Sequence, residues 1–215
     1  MIGPRVFRSL SWGYHEPGGH VLWWLVRPSM HLHIVGELAF EQMDEAELAV
    51  ALATQDAALG IGGSLEVSRV DYTVGTPDIV TNVKHKKPGF RGETIGDRLL
   101  KVGVPVIPAD DDVLNGWKRC LSLFGHDEQA VPWLTIHPRC SVLIEAIPAG
   151  LQDVAKQPDD FKGPAPPLLA FRYGAMSRPS PRVQADVVVI PPGSPADIMQ
   201  KMRLQRMGRR FGVAR

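Results

Sequence analysis

The residues of this chain that could do chemistry are its scattered carboxylates, seven histidines, one serine at a strand end and two basic clusters. Glu16, Asp78, Asp159 and Asp160 lie at turns, where carboxylates from distant segments could be drawn together around hard divalent cations such as Mg²⁺ or Mn²⁺. His31 and His33 form an H-x-H pair on one predicted strand face, but zinc needs a third ligand and a supporting shell, which the scattered His15, His20, His85, His126 and His137 do not supply by spacing. Ser11 has no partner base at sequence level, and no G-x-S-x-G turn exists. Lys84, Lys86, Lys87 and Arg91 fall in a glycine-containing stretch. Lys201, Arg203, Arg206, Arg209 and Arg210 fall in a tail with no acid after Asp197. Flexible cations of this kind can hold phosphates without reading bases.

Composition sets the frame for these groups. The 215 residues, 44% of them hydrophobic, suit one domain with a tail. A formal net charge of +1 gives no global attraction to nucleic acid, so any such binding must be local. Cys120 and Cys140 are too few for a disulfide framework and read as free thiols in a reducing compartment. No apolar run approaches about 18 residues, "VLWWLV" is strand length, and the N-terminus lacks a signal-peptide layout; a cytoplasmic protein with no membrane span is expected.

The elements that must position the candidate residues follow from turn chemistry and periodicity. Arg5 to Trp12, His20 to Val26 and His31 to Phe40 read as three strands separated by "GYHEPGG" and "RPSM". A helix follows, with Asp44 as N-cap, Glu45 and Glu47 in its first turn, and Gly60 at its end. Leu65 to Val74 predicts a fourth strand ending in "VGTPDI", and Val80 to Gly92 a basic loop. "ETIGDRLLKVG" predicts a helix, "VPVIP" a strand and "DDDVLNGWKRCLSLFG" a helix that starts at Asp110 to Asp112. "WLTIH" then reads as a strand, "RCSVLIEAI" as a helix, Gly150 to Pro167 as a linker, and Leu168 to Pro179 as a short helix. The five tryptophans lie in these elements and are expected in the core. Beyond Pro179 the chain is irregular, with "ADVVVI" as one further strand.

Five segments occur in an order that resembles the nuclease domain of phage large terminase subunits. They are "WGYHEP", "ELAFEQMDEAELA", "GETIGDRLLKVGVPVIPADDDVLNGWKRCLSLF", "IHPRCSVLIEAI" and "RYGAMSRP", spanning about Val6 to Pro179. The third is the most specific, since "PADDDVLNGW" follows the family pattern PADN-x-x-x-x-GW. The resemblance implies an α/β, RNase H-like mixed sheet of three antiparallel strands and then parallel strands, flanked by helices. It places such a domain at residues 1–179 and an irregular basic tail at 180–215.

The resemblance also implies where the catalytic acids of the family fall. They fall on Ser11, Thr76 and Leu169, and the family's acidic-histidine run becomes Pro164, Ala165, Pro166 and Pro167. Serine is a poor ligand for a hard cation and leucine is none. The expectation is therefore a nuclease-like domain without metal-dependent cleavage and without a cofactor. It would act in viral DNA packaging as a DNA-binding or assembly module, in the host cell of a phage or prophage. Double-stranded DNA, a terminase ATPase, a small terminase and a portal protein are the implied partners; no G-x-x-x-x-G-K-[ST] phosphate loop is present. Two alternatives stand beside it. One is an active Mg²⁺- or Mn²⁺-dependent endonuclease with relocated ligands Glu16, Asp78 and Asp160. The other is a structural or interaction protein that reuses the fold.

Overall fold

In the computed structural model of the chain, the residues described are 4–13, 18–63, 67, 69–81, 93–156 and 165–177. Strands β1 (Arg5–Ser11), β2 (Gly19–Val26) and β3 (Leu32–Phe40) form an antiparallel meander. Helix α1 (Glu45–Ala58) leads to β4 (Val70–Gly75), which pairs parallel with β1. Next come α2 (Asp78–Thr81), α3 (Ile95–Lys101) and β5 (Val106–Pro108), the last parallel to β4. Then follow α4 (Val113–Leu123), β6 (Leu134–Ile136) parallel to β3, α5 (Ser141–Lys156) and α6 (Ala165–Met176). The six strands make one mixed sheet in the order β5-β4-β1-β2-β3-β6. This is the α/β architecture expected from the sequence, in an RNase H-like arrangement.

Local chemistry fixes most helix starts. Asp44 and Glu47 form a reciprocal capping box on α1, as do Thr94 and Asp97 on α3, so two orphan N–H groups are satisfied at each helix start. Asp112 caps α4 by accepting from Asn115 N at 2.9 Å.

Three boundaries differ from the sequence expectation. The fourth strand begins at Val70, not Leu65, and a single helical turn, Asp78–Thr81, follows it and takes in the start of the basic loop expected from Val80. The linker before the last helix is shorter than Gly150 to Pro167. Helix α5 runs on to Lys156, and Pro166 and Pro167 sit in the first turn of α6, where a missing N–H costs nothing. The "ADVVVI" segment lies outside the described residues.

Alternation along the strands gives the sheet two apolar faces. One carries Phe7, Leu22, Trp24 and Ile34 and is covered by α4, α5 and α6. The other carries Val6, Leu10, Val21 and Trp23 and meets α1 and α3. Trp23, Trp24 and Trp117 are buried, whereas Trp12 and Trp133 are only half-buried, short of the full core role expected of them. The Trp24 indole stacks between Phe7 and Phe171, at centroid distances of 5.6 Å on each side, and donates to Ser9 Oγ at 2.8 Å. Helix α6 reaches this ring because residue 174 is glycine: a Cβ there would lie 2.3 Å from the indole.

Candidate functional site

The ladder between β1 and β4 pairs Leu10 with Gly75, and just beyond it the chain places Ser11 and Thr76 side by side. Thr76 N donates to Leu10 O, and Trp12 N donates to Thr76 Oγ1, each at 3.0 Å. The Thr76 side chain also hydrogen-bonds Tyr173 of α6. One helical turn before Tyr173, Leu169 packs against the cluster of Val74, Ala109 and Tyr173. Residues 11, 76 and 169 thus approach one end of the sheet on the face that α6 covers. Ser11 is only 4% exposed there. Carboxylates at these positions would be partly buried and mutually repelling unless a cation lay between them.

No family model, curated protein or solved structure matches this chain.

Two further groups occupy the same face. His20 is the cross-strand partner of Ser11, so their side chains are neighbours on the α6 side. The His20 ring is 1% exposed and its Nε2 lies 3.1 Å from Glu37 Oε2. A carboxylate only accepts, so Nε2 carries the proton in the neutral ring and Nδ1 keeps a lone pair. Glu37 in turn accepts from Val142 N at 2.9 Å and Leu143 N at 3.0 Å, in the first turn of α5. One carboxylate thereby ties β2, β3 and a helix N-terminus together, where its charge also suits the helix dipole.

On the other side of the site, Arg172 of α6 donates from Nη2 to Asp111 Oδ1 at 2.8 Å while its own side chain is 4% exposed. Its guanidinium lies 5.2 Å from the Tyr173 ring centre. Burial, more than any neighbour, pushes the Tyr173 hydroxyl above the usual phenol range, so it remains a neutral hydrogen-bonding group. The Arg172 stem passes over Gly116, where a Cβ would come within 2.8 Å of it.

The relocated-ligand set is not assembled among the described residues. Asp78 is exposed in the first turn of α2, so the extended strand continuation that would aim it at the site is absent; Glu16 and Asp160 lie outside the described residues. His31 and His33 are committed separately. His31 stacks on Trp133 and bonds Asp127 Oδ2 at 3.0 Å and Ser29 Oγ at 2.8 Å, while His33 bonds Thr135. Among the described residues, no three His, Cys, Asp or Glu side chains are grouped to hold a metal ion. Cys120 and Cys140 are buried free thiols, both pushed up to about 12 chiefly by burial. No described helix is long and apolar enough to cross a membrane. The basic residues Lys84, Lys86, Lys87, Arg91, Lys201, Arg203, Arg206, Arg209 and Arg210 all lie outside the described residues.

The buried His20 has a pH signature. Burial lowers its proton affinity below that of a free imidazole, and Glu37 opposes this only in part. The unfolded chain therefore takes up a proton at a pH where the folded chain does not. Stability is full above about pH 6.5 and falls below it by about 1.4 kcal/mol per pH unit until the folded ring also protonates. His33, lowered mainly by burial as well, adds to the same trend. Urea unfolding between pH 8 and 5 is expected to show this loss, and His20→Gln is expected to remove one proton's share of the slope.

Proposed function

We propose that this chain is a terminase-type, nuclease-like module that has given up metal-dependent cleavage and serves DNA packaging as a DNA-binding or assembly unit. The observation that carries this reading is the convergence of Ser11, Thr76 and Leu169 at one sheet end. Residues far apart in the chain, at the positions where the resemblance puts the family's acids, lie at one sheet end beside α6. Their side chains have also acquired structural work: Thr76 holds Trp12 N and Tyr173, and Leu169 fills an apolar cluster. A neutral end of this kind would repel a phosphate backbone less than the family's clustered acids do.

DNA affinity in this reading comes from the two basic segments. Binding of the full chain to a duplex of random sequence is expected to weaken steeply with salt. Changing Lys84, Lys86, Lys87 and Arg91 to Gln is expected to lower the slope of log K against log salt by about 3–4, at about 0.9 per phosphate contact. A slope unchanged by these substitutions, or no DNA binding at low salt, would contradict the DNA-binding half of the proposal.

A further inference from the structure

A cleft of about 600 Å³ opens where the start of β2 and the end of β3 meet α5 and the first turn of α6. It adjoins the Ser11–His20 pair but is not built from the three positions discussed above. Its volume is that of an ordinary small-ligand or side-chain site. Phe40, Val142 and Ala146 supply apolar wall, and Glu41 and Glu145 line it with exposed carboxylates. His20 also lines it, with Nε2 committed to Glu37 and the ring's other nitrogen left as an acceptor.

Two helix N-termini border this cleft, and ordinarily such ends attract anions through their free N–H groups. Here both ends have fewer donors to offer. The N–H groups of Val142 and Leu143 in α5 are taken by Glu37. In the first turn of α6, Pro166 and Pro167 have no N–H to offer. Among the described residues, no Lys or Arg lines the cleft. Its described lining is poor in donors, with two carboxylates and apolar walls, which disfavours phosphate and suits a cation on an aliphatic stem.

We infer that the cleft takes the basic side chain of a partner protein's peptide segment, an arginine or lysine whose methylenes lie on Phe40 and Val142 and whose charged head reaches Glu41 and Glu145. Charge complementarity selects this occupant, and charge-assisted hydrogen bonds to the two carboxylates supply its specificity. The inference does not depend on the nuclease-like reading.

A titration of the full chain with a capped Gly-Arg-Gly peptide, followed by backbone amide NMR, tests it. Saturable shifts centred on Gly19, His20 and Val142 are expected, with the lysine peptide behaving alike. Citrulline in place of arginine keeps the shape but removes the charge and is expected to bind at least about tenfold more weakly. Glu41→Gln with Glu145→Gln, both at exposed positions, is expected to weaken the arginine peptide by a similar factor. Val142→Arg, which supplies a guanidinium at the cleft wall, is expected to abolish the response. Equal binding of the citrulline peptide, an undiminished response in the double variant, or no saturable shift at millimolar peptide would overturn the assignment. Each of these outcomes leaves the DNA titration unaffected, so the two readings fail separately.

Discussion

The triple variant Ser11→Asp, Thr76→Asp and Leu169→Asp is expected to lose about 3–6 kcal/mol of folding stability in EDTA and to recover a large part of it in millimolar Mn²⁺. Each substitution places a carboxylate at a buried or half-buried position, at a cost of about 1–3 kcal/mol for an unpaired group. Thr76→Asp additionally disturbs the bonds to Trp12 N and Tyr173. Mutual repulsion adds to the cost because the three positions approach one another. A divalent cation between the carboxylates reverses the sign of that interaction, and a metal at a hundred times its Kd returns about 2.7 kcal/mol. For a chain of this size, 3–6 kcal/mol corresponds to roughly 10–20 °C in Tm. Thermal scans of the variant and the parent in EDTA, Mg²⁺ and Mn²⁺ read this directly. A variant that is not destabilised, or whose loss no divalent ion reverses, would mean that the positions do not form one site.

Trp24→Ala is expected to cost about 3–5 kcal/mol. The indole fills the space between Phe7 and Phe171, and its loss also leaves Ser9 Oγ without its donor. Gly174→Ala attacks the same contact from α6, since its new methyl would sit 2.3 Å from the ring. Overpacking of this kind costs about 1–3 kcal/mol. The two changes share one space, so their combined cost is expected to fall short of the sum by at least about 1 kcal/mol. Urea denaturation of the two single variants and the double variant checks this. Strict additivity would show that α6 does not rest on Trp24, and the placement of Leu169 and Arg172 would then lose its anchor.

Much of this scaffold could be read from the residues alone, because its signals are local. The Asp44 cap and Glu47 lie within four residues of each other, and the apolar alternation of the first strands is nearly regular. The site was less legible, for a physical reason that one residue illustrates. In simple alternation, Glu37 would share a face with Val35 and Ala39, opposite Leu32, Ile34 and Leu38. Instead the β2–β3 register shifts, with Trp23 opposite Gly36 and Trp24 opposite Ile34, so Val35 is an extra residue on that strand. The bulge resets the parity. Leu32, Ile34 and Glu37 end on the face covered by α5, and Val35 and Leu38 on the other. Glu37 therefore looks like an ordinary surface acid until the register is known. His20 looks isolated in sequence for the same reason, since its partner is set by pairing across two strands. The Arg172–Asp111 bond joins residues 61 apart and has no local signature at all. The one-turn helix at Asp78 has no local signature, because a single turn shows no periodicity.

Plasmid nicking by the purified full chain in Mg²⁺ and Mn²⁺, with EDTA controls, tests the central claim most directly. The account predicts supercoiled plasmid left intact under all three conditions, at protein concentrations where it is bound. Divalent-dependent nicking that Asp78→Ala abolishes would contradict it and would mean that the metal site has moved within this fold.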